Sequence, residues 1–372
     1  MTPFDSSRNI EKLIRSQLAE LGGYNSHKSP DTLAGKTAKS VSSIIKLDAN
    51  ENPYGCSPRV KKALAEYENW HIYPDAGQTL LRLQLQEYTG IDAGRIVAAD
   101  GSGELLDDIM CLFLEPGDEV INCVPTFDMY RFRTLINGGD LVNVPRDDGF
   151  AVDIKAVKSA LTTKTKLIIV SNPNNPTGNV IPRKDIMEMV DIGIPLLIDE
   201  AYYEFSGDTV VPLISECRNL MVLRTFSKWA GIAGLRIGYG VFPAGIAGFL
   251  MKIKLPYNVN TAALIAVRET LKDIDYLKSK MELIITERER LFKGLTGQDW
   301  LKPLPSSANF IYCSIIRGKA QILWQKLQDR GIMVRYFDQP LLQNSVRISV
   351  GKPEHTDALL AALRELEGEL DG

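Results

Sequence analysis

A lysine at the end of a buried strand is unusual, and Lys228 is placed to be one: Thr225-Phe226-Ser227-Lys228 comes just after the apolar run at residues 220–223 and precedes Gly231, Gly234 and Arg236. Near an apolar wall an amine loses affinity for its proton and can act as nucleophile and base. In a solvated loop it would do neither. Asp199 ends a second apolar run, residues 195–198, and is followed by Glu200, Ala201 and Tyr202. A carboxylate at the carboxyl end of a parallel strand lies where open α/β sheets bind ligands, although a helix N-cap would use the same residue type. Ser171-Asn172-Pro173-Asn174-Asn175-Pro176-Thr177-Gly178 follows a third apolar run. By composition it is a turn, but two prolines and three asparagines make it rigid and specific. Gly101-Ser102-Gly103 opens a helical pattern carried by Leu105, Leu106, Ile109 and Leu112, so its N–H groups and helix dipole could receive a phosphate.

These four segments need a scaffold that brings strand ends together. From Leu47 onward short apolar runs alternate with helical patterns, the signature of an α/β domain with a mainly parallel central sheet covered by helices. The clearest strands are expected at 119–123, 166–170, 195–198, 220–223 and 236–241. Three have continuously apolar centres, as strands covered on both faces should. A helix is expected over 58–66, with Ser57 as N-cap and Pro58 in the first turn. Past Asn258 a long helical pattern bridges to a small α+β domain, with strands at 309–313 and 346–350 and a closing helix bearing Leu359, Leu360, Leu363 and Leu366. The division expected is an N-terminal arm and loop at 1–46, packing on the small domain or a partner, a large domain at 47–270 and the small domain at 271–372. In the arm, Ile10, Leu13, Ile14, Leu18 and Leu21 recur at helical spacing.

A chain of 372 residues has room for two cores. With 45% hydrophobic and 24% charged residues and a net charge of -3, it has the composition of a small-molecule enzyme and no field to attract nucleic acid. The five cysteines form no CxxC pair, and none of His27, His71 and His355 stands at ligand spacing from a cysteine or another histidine, so no metal site is expected. Gly35-Lys36-Thr37 resembles the end of a phosphate-binding loop, but Pro30 stands where the leading glycine belongs. No apolar signal core begins the chain and no apolar run reaches bilayer length, so a cytoplasmic location is expected.

In this order, SNPNNPTG, IDEAYYEF and RTFSKWAGIAGLRIGYG resemble the fold type I pyridoxal-phosphate enzymes, specifically the class I and II aminotransferases, over residues 47–366. The resemblance implies pyridoxal 5'-phosphate as cofactor. Lys228 would hold it covalently, be displaced by the substrate amine and then carry a proton between substrate and cofactor. Asp199 would pair with the ring nitrogen, Tyr202 and Asn175 would bond the ring's 3-oxygen, and Phe127 would stack on its face. Ser102, Gly103, Thr225, Ser227 and Arg236 would surround the phosphate. Tyr73, in His71-Ile72-Tyr73-Pro74, matches the tyrosine supplied by the opposite subunit, which implies a homodimer.

Within the family, Leu47-Asp48-Ala49-Asn50-Glu51-Asn52-Pro53-Tyr54-Gly55, Gly331-Ile332-Met333-Val334-Arg335 and the Arg347 segment look most like enzymes that transfer the amino group of L-histidinol phosphate to 2-oxoglutarate, giving glutamate, in histidine biosynthesis. Arg335 and Arg347 would bind the substrate phosphate, and Asn52 or Tyr24 would line the imidazole side. The alternatives on this scaffold are an aromatic-amino-acid aminotransferase, a threonine-phosphate decarboxylase, and a non-catalytic cofactor-binding regulator. Regulators of that last kind normally carry a DNA-binding extension, and no helix-turn-helix or basic patch precedes Leu47.

Overall fold

The computed structural model describes residues 9–19, 21–23, 29–37 and 40–369. Seven strands form the larger sheet: β2 (Ile96–Ala99), β3 (Glu119–Val124), β4 (Asp140–Pro145), β5 (Thr165–Ser171), β6 (Leu196–Asp199), β7 (Leu220–Thr225) and β8 (Gly238–Val241), in the order β2-β8-β7-β6-β5-β3-β4. All neighbours from β4 to β7 pair in parallel, and β8 alone runs against its neighbours. Every residue of β6 and β7 is buried, as helices on both faces require. The second sheet joins β1 (Ile45–Leu47), β9 (Leu301–Pro303), β10 (Phe310–Ile315), β11 (Ile332–Phe337) and β12 (Ser345–Ser349), in the order β1-β11-β12-β10-β9.

The expected strands all appear, with starts within two residues of those read, and two of the shifts have a clear cause. The strand expected from residue 236 begins at Gly238, because Arg236 takes a left-handed φ of 53° that no strand accommodates. The one expected from Pro195 begins at Leu196, since proline has no N–H to give a ladder. The helix Pro58–Ala65 starts as read, with Ser57 accepting a bond from the Arg59 amide at 3.1 Å. Helices Thr261–Leu271 and Ile274–Thr296 lead from the larger sheet to the second, and the longer one buries Leu277, Ile284, Leu291 and Leu295 on one face.

β1 pairs in parallel with β11, Leu47 facing Val334. The first strand therefore belongs to the sheet of the C-terminal residues, and the turn after it, Asp48 to Asn52, is carried between the two sheets. The N-terminal arm is not one helix but a 3-10 turn, Ile10–Leu13, and a short helix, Ser16–Ala19. Arg15 ties it to the carbonyl of Ile136 at 2.9 Å, and Ile10, Leu13 and Ile14 stay exposed. Gly35-Lys36-Thr37 ends the helix Pro30–Thr37 instead of opening one, so it forms no cradle for phosphate. No described helix is long and apolar enough to cross a membrane.

Candidate active site

Parallel pairing of β5, β6 and β7 brings three loops to one edge of the larger sheet, because each strand ends in the same direction. Asp199 is the last residue of β6 and is buried. Tyr130 donates its hydroxyl to Oδ2 at 2.7 Å and the Ala201 amide donates to Oδ1 at 3.0 Å. Burial still outweighs these bonds and raises the carboxyl above its ordinary pKa. A buried carboxylate with two neutral donors and no bonded cation is suited to hold a proton on a ring nitrogen.

Lys228 lies in the turn after β7, and its Nζ donates to the Ala49 carbonyl at 2.9 Å. Burial, then the positive charge of Arg347, lowers the amine to about 8. Much of it is therefore unprotonated in mildly alkaline water, as a carbonyl-attacking amine must be.

Tyr202 is buried, edge-on to Phe310 with ring centroids 5.1 Å apart, and its hydroxyl accepts from Asn50 Nδ2 at 2.9 Å. Asn50 is held from the second sheet: its amide donates to Ser349 Oγ at 2.8 Å, Ser349 Oγ donates to its Oδ1 at 2.8 Å, and Asn309 Nδ2 donates to its carbonyl at 2.9 Å. These bonds keep Asn50 at a φ of 56°, a backbone state that asparagine tolerates better than most residues. Asn175 Oδ1 accepts from Arg347 Nη1 at 2.6 Å, and Arg347 Nη2 reaches the Asp48 carbonyl at 2.6 Å. Neighbouring Asn174 stiffens the loop by accepting from Thr126 Oγ1 and Arg146 Nη2 and donating to Thr177 Oγ1.

The start of the helix Ser102–Phe113 lies against Arg236. A Cβ added to Gly101, whose φ is 77°, would come within 2.6 Å of Arg236 Nη2. One added to Gly238 would come within 2.4 Å of the Ser102 amide. The glycines thus let a guanidinium and a helix N-terminus converge, with Thr225 Oγ1 accepting from the Ser227 amide at 3.1 Å beside them. This cradle fits a phosphate. Phe127 packs edge-on to Tyr130 at 5.6 Å, one residue away from Asp199 through that hydroxyl.

Arg335 on β11 and Arg347 on β12 are direct cross-strand partners. Like charges opposed on one face are unfavourable unless an anion lies between them. Asn52 is occupied on both sides: Nδ2 donates to the Trp229 carbonyl at 2.6 Å and Oδ1 accepts from the Tyr54 amide at 2.9 Å. Tyr73 is 78% exposed and stacked on Tyr257 at 4.6 Å. Tyr24 lies outside the described residues.

Three contributors had no distinguishing mark in the sequence. Tyr130 reads as a helix-face aromatic and is fully buried, and Ser349 and Asn309 read as ordinary strand residues. Only their meeting with Asp199 and Asn50 gives them a role.

Comparison with known proteins identifies the family. Residues 42–363 match the sequence profile of the family described as aminotransferase class I and II. The chain is 51% identical over 358 residues to the histidinol-phosphate aminotransferase of Dehalococcoides mccartyi (strain ATCC BAA-2266 / KCTC 15142 / 195), covering 96% of this chain and 99% of that one. It is 44% identical over 367 residues to the protein of the same name from Roseiflexus castenholzii, covering 96% and 99%. Among solved structures, histidinol-phosphate aminotransferase from Sinorhizobium meliloti in complex with pyridoxal-5'-phosphate superposes with a TM-score of 0.88 at 26% identity, covering 95% of this chain and 97% of that one. With a profile match over most of its length and full-length relatives well above 30% identity, the chain belongs to the class I and II aminotransferases.

Proposed function

We propose that this aminotransferase uses pyridoxal 5'-phosphate to move an amino group between L-histidinol phosphate and 2-oxoglutarate, yielding imidazole acetol phosphate and glutamate. The observation that carries the substrate reading is the pair Arg335 and Arg347, set opposite each other across β11 and β12. Two guanidiniums on one face suit a phosphate dianion, and the curated relatives named above point to the same substrate.

When bound, the cofactor supplies an electron sink for the electrons released at the substrate α-carbon. The protein's residues do the rest. Lys228 would take the proton from that carbon at Nζ and deliver it two bonds away, across the nitrogen being transferred, a task suited to an amine whose pKa is lowered to about 8. Asp199 holds a proton on the ring nitrogen, and Tyr130 keeps its carboxylate aimed. Tyr202 and Asn175 bond the ring oxygen, fixed by Asn50 and Arg347 respectively. Phe127 covers the ring, and Ser102, Gly103, Thr225, Ser227 and Arg236 bind the cofactor phosphate. Asn52, and Tyr24 beyond the described residues, are assigned to the imidazole side.

The working form proposed is a homodimer in the cytoplasm. Tyr73 and Tyr257 form an exposed aromatic pair, and Leu80 and Leu255 are 75% and 70% exposed, apolar surface that a partner would cover. The five unpaired cysteines accord with a reducing compartment.

The test is to load the protein with pyridoxal phosphate, add L-histidinol phosphate without an acceptor and follow the visible band of the bound cofactor. Bleaching that 2-oxoglutarate reverses is the expected result. A stronger response to phenylalanine, or carbon dioxide release from threonine phosphate, would replace the substrate assignment and leave the family untouched.

A further inference from the structure

Arg146, the first residue past β4, is 7% exposed and forms no ion pair among the described residues. Its side chain bonds neutral acceptors: Nε donates to the Cys123 carbonyl at 3.2 Å, Nη1 to the Phe150 carbonyl at 3.1 Å and Nη2 to Asn174 Oδ1 at 3.1 Å. Burial works against its charge. A buried cation of this kind is costly, and Arg224 meets the cost with Glu200. Arg146 has no such counter-charge. What the position uses is the planar fork of the guanidinium, which can hold several segments at fixed angles.

The segments it holds border the site. β3 and β5 pair as far as Asn122 and Ile169 and then part. Arg146 bridges the split, for its own amide donates to the Val124 carbonyl at 2.7 Å while its side chain reaches from Cys123 to the loop after β5. Asn174, fully buried, is the hub of that loop. Its Oδ1 accepts from Arg146 and from Thr126 Oγ1 at 2.9 Å, and its Nδ2 donates to the Pro125 carbonyl at 3.1 Å and to Thr177 Oγ1 at 2.7 Å. The third arm of the fork holds Phe150, whose φ of 63° a non-glycine residue keeps only where its surroundings fix it. Phe127 follows Thr126 and Asn175 follows Asn174, so the residues assigned to the ring face and the ring oxygen each stand one position from the hub. Arg347 takes Asn175 Oδ1, which turns Nδ2 towards the ring oxygen. The backbone beneath it is set by Arg146.

We propose that Arg146 is a positioning residue for the cofactor ring: by bonding Asn174 and the end of β3 together, it fixes Phe127 and Asn175 relative to each other. The inference rests on the assignment of Asn175 to the ring oxygen under the proposed function. A donor on that oxygen draws its charge away from the nitrogen that Lys228 supplies. Displacing the donor therefore lets that nitrogen keep its proton to higher pH.

The measurement is the pH midpoint of the visible band in the cofactor-loaded protein, with thermal melting run alongside. Asn175→Ala sets the scale and should raise the midpoint by about one unit. Arg146→Met should raise it too, and the double variant should go no further than Asn175→Ala, since both act through one hydrogen bond. Arg146→Lys keeps the charge without the fork and should behave like Arg146→Met. A purely structural arginine would lower the melting temperature and leave the midpoint of the folded protein alone. Thr126→Val removes the other bond to Asn174 Oδ1 from a half-buried position and should give a smaller upward shift, so it decides the matter if the arginine variants do not fold. The inference is overturned if Asn175→Ala moves the midpoint while Arg146→Met, or Thr126→Val in its place, leaves it at the parent value, or if the double variant is additive. A midpoint unmoved in Asn175→Ala would overturn it together with the ring-oxygen assignment.

Discussion

Asp199 and Glu200 are neighbours at the end of β6, both buried, and their surroundings differ completely. Glu200 is saturated: Arg224 gives it Nε at 3.0 Å and Nη2 at 2.9 Å, Thr209 gives its hydroxyl at 2.8 Å, and the Val210 amide reaches Oε1 at 2.7 Å. Arg224 in turn lies 3.5 Å above the Tyr203 ring and touches the Tyr239 hydroxyl. Asp199 has only Tyr130 and one amide, and its pKa is raised. The same residue class at the same strand end thus serves two purposes. The completed ion pair holds structure, and the unfinished site, Asp199 with Lys228, is left to be completed by what binds there.

Substitutions can break or sharpen that contrast. The largest effect is expected from Lys228→Ala, which removes the proton-carrying amine and should lower transamination by roughly 10²–10⁴-fold in single-turnover assays. Asp199→Asn comes next, with a loss of roughly 10²–10³-fold. It should also raise the melting temperature of the cofactor-free protein. The folded carboxyl is raised, so the charge at neutral pH costs stability that the amide does not. Glu200→Gln should do the reverse, because it strands Arg224 without its counter-charge. Breaking such a pair costs about 3–5 kcal/mol, which chemical denaturation would reveal, while kcat of the folded fraction stays near that of the parent. If Asp199→Asn and Glu200→Gln shifted stability in the same direction, the contrast would fail.

The amine supplies a pH test of the same idea. A lysine whose folded pKa drops to about 8 binds fewer protons than in the unfolded chain, whose value is about 10.4. Stability of the cofactor-free protein therefore rises with pH across that window. Lys228→Met should raise its melting temperature at pH 7, and the gain should shrink towards pH 10. Smallest of the set, Asn50→Ala should slow turnover by roughly 10–100-fold, as loss of an outer-shell partner does elsewhere. Asn50 touches Tyr202 and not the reacting atoms, so the pH profile should shift along with the rate.

The sequence made some of this legible. β6 and β7 announced themselves because strands covered on both faces must be apolar throughout. Edge strand β4 did not, since Asp140–Pro145 is half exposed and carries the polar residues an edge tolerates. The positions of Lys228 and Asp199 followed from where those runs end. Arg236 was legible as a charge but not as a left-handed residue whose guanidinium lies so close to Gly101 that no side chain fits there.

What the chain determined alone is what neighbouring residues can encode: the apolar runs, the turn chemistry between them and the residue types waiting at their ends. The folded molecule decided which of those groups meet. Asn50 reaches Ser349 across 299 positions, Arg347 finds Asn175 across 172, and β1 joins β11. The lowered amine of Lys228 and the raised carboxyl of Asp199 belong to this second kind. Desolvation and the fields of nearby charges depend on everything packed within a few ångströms, and that company is assembled only in three dimensions.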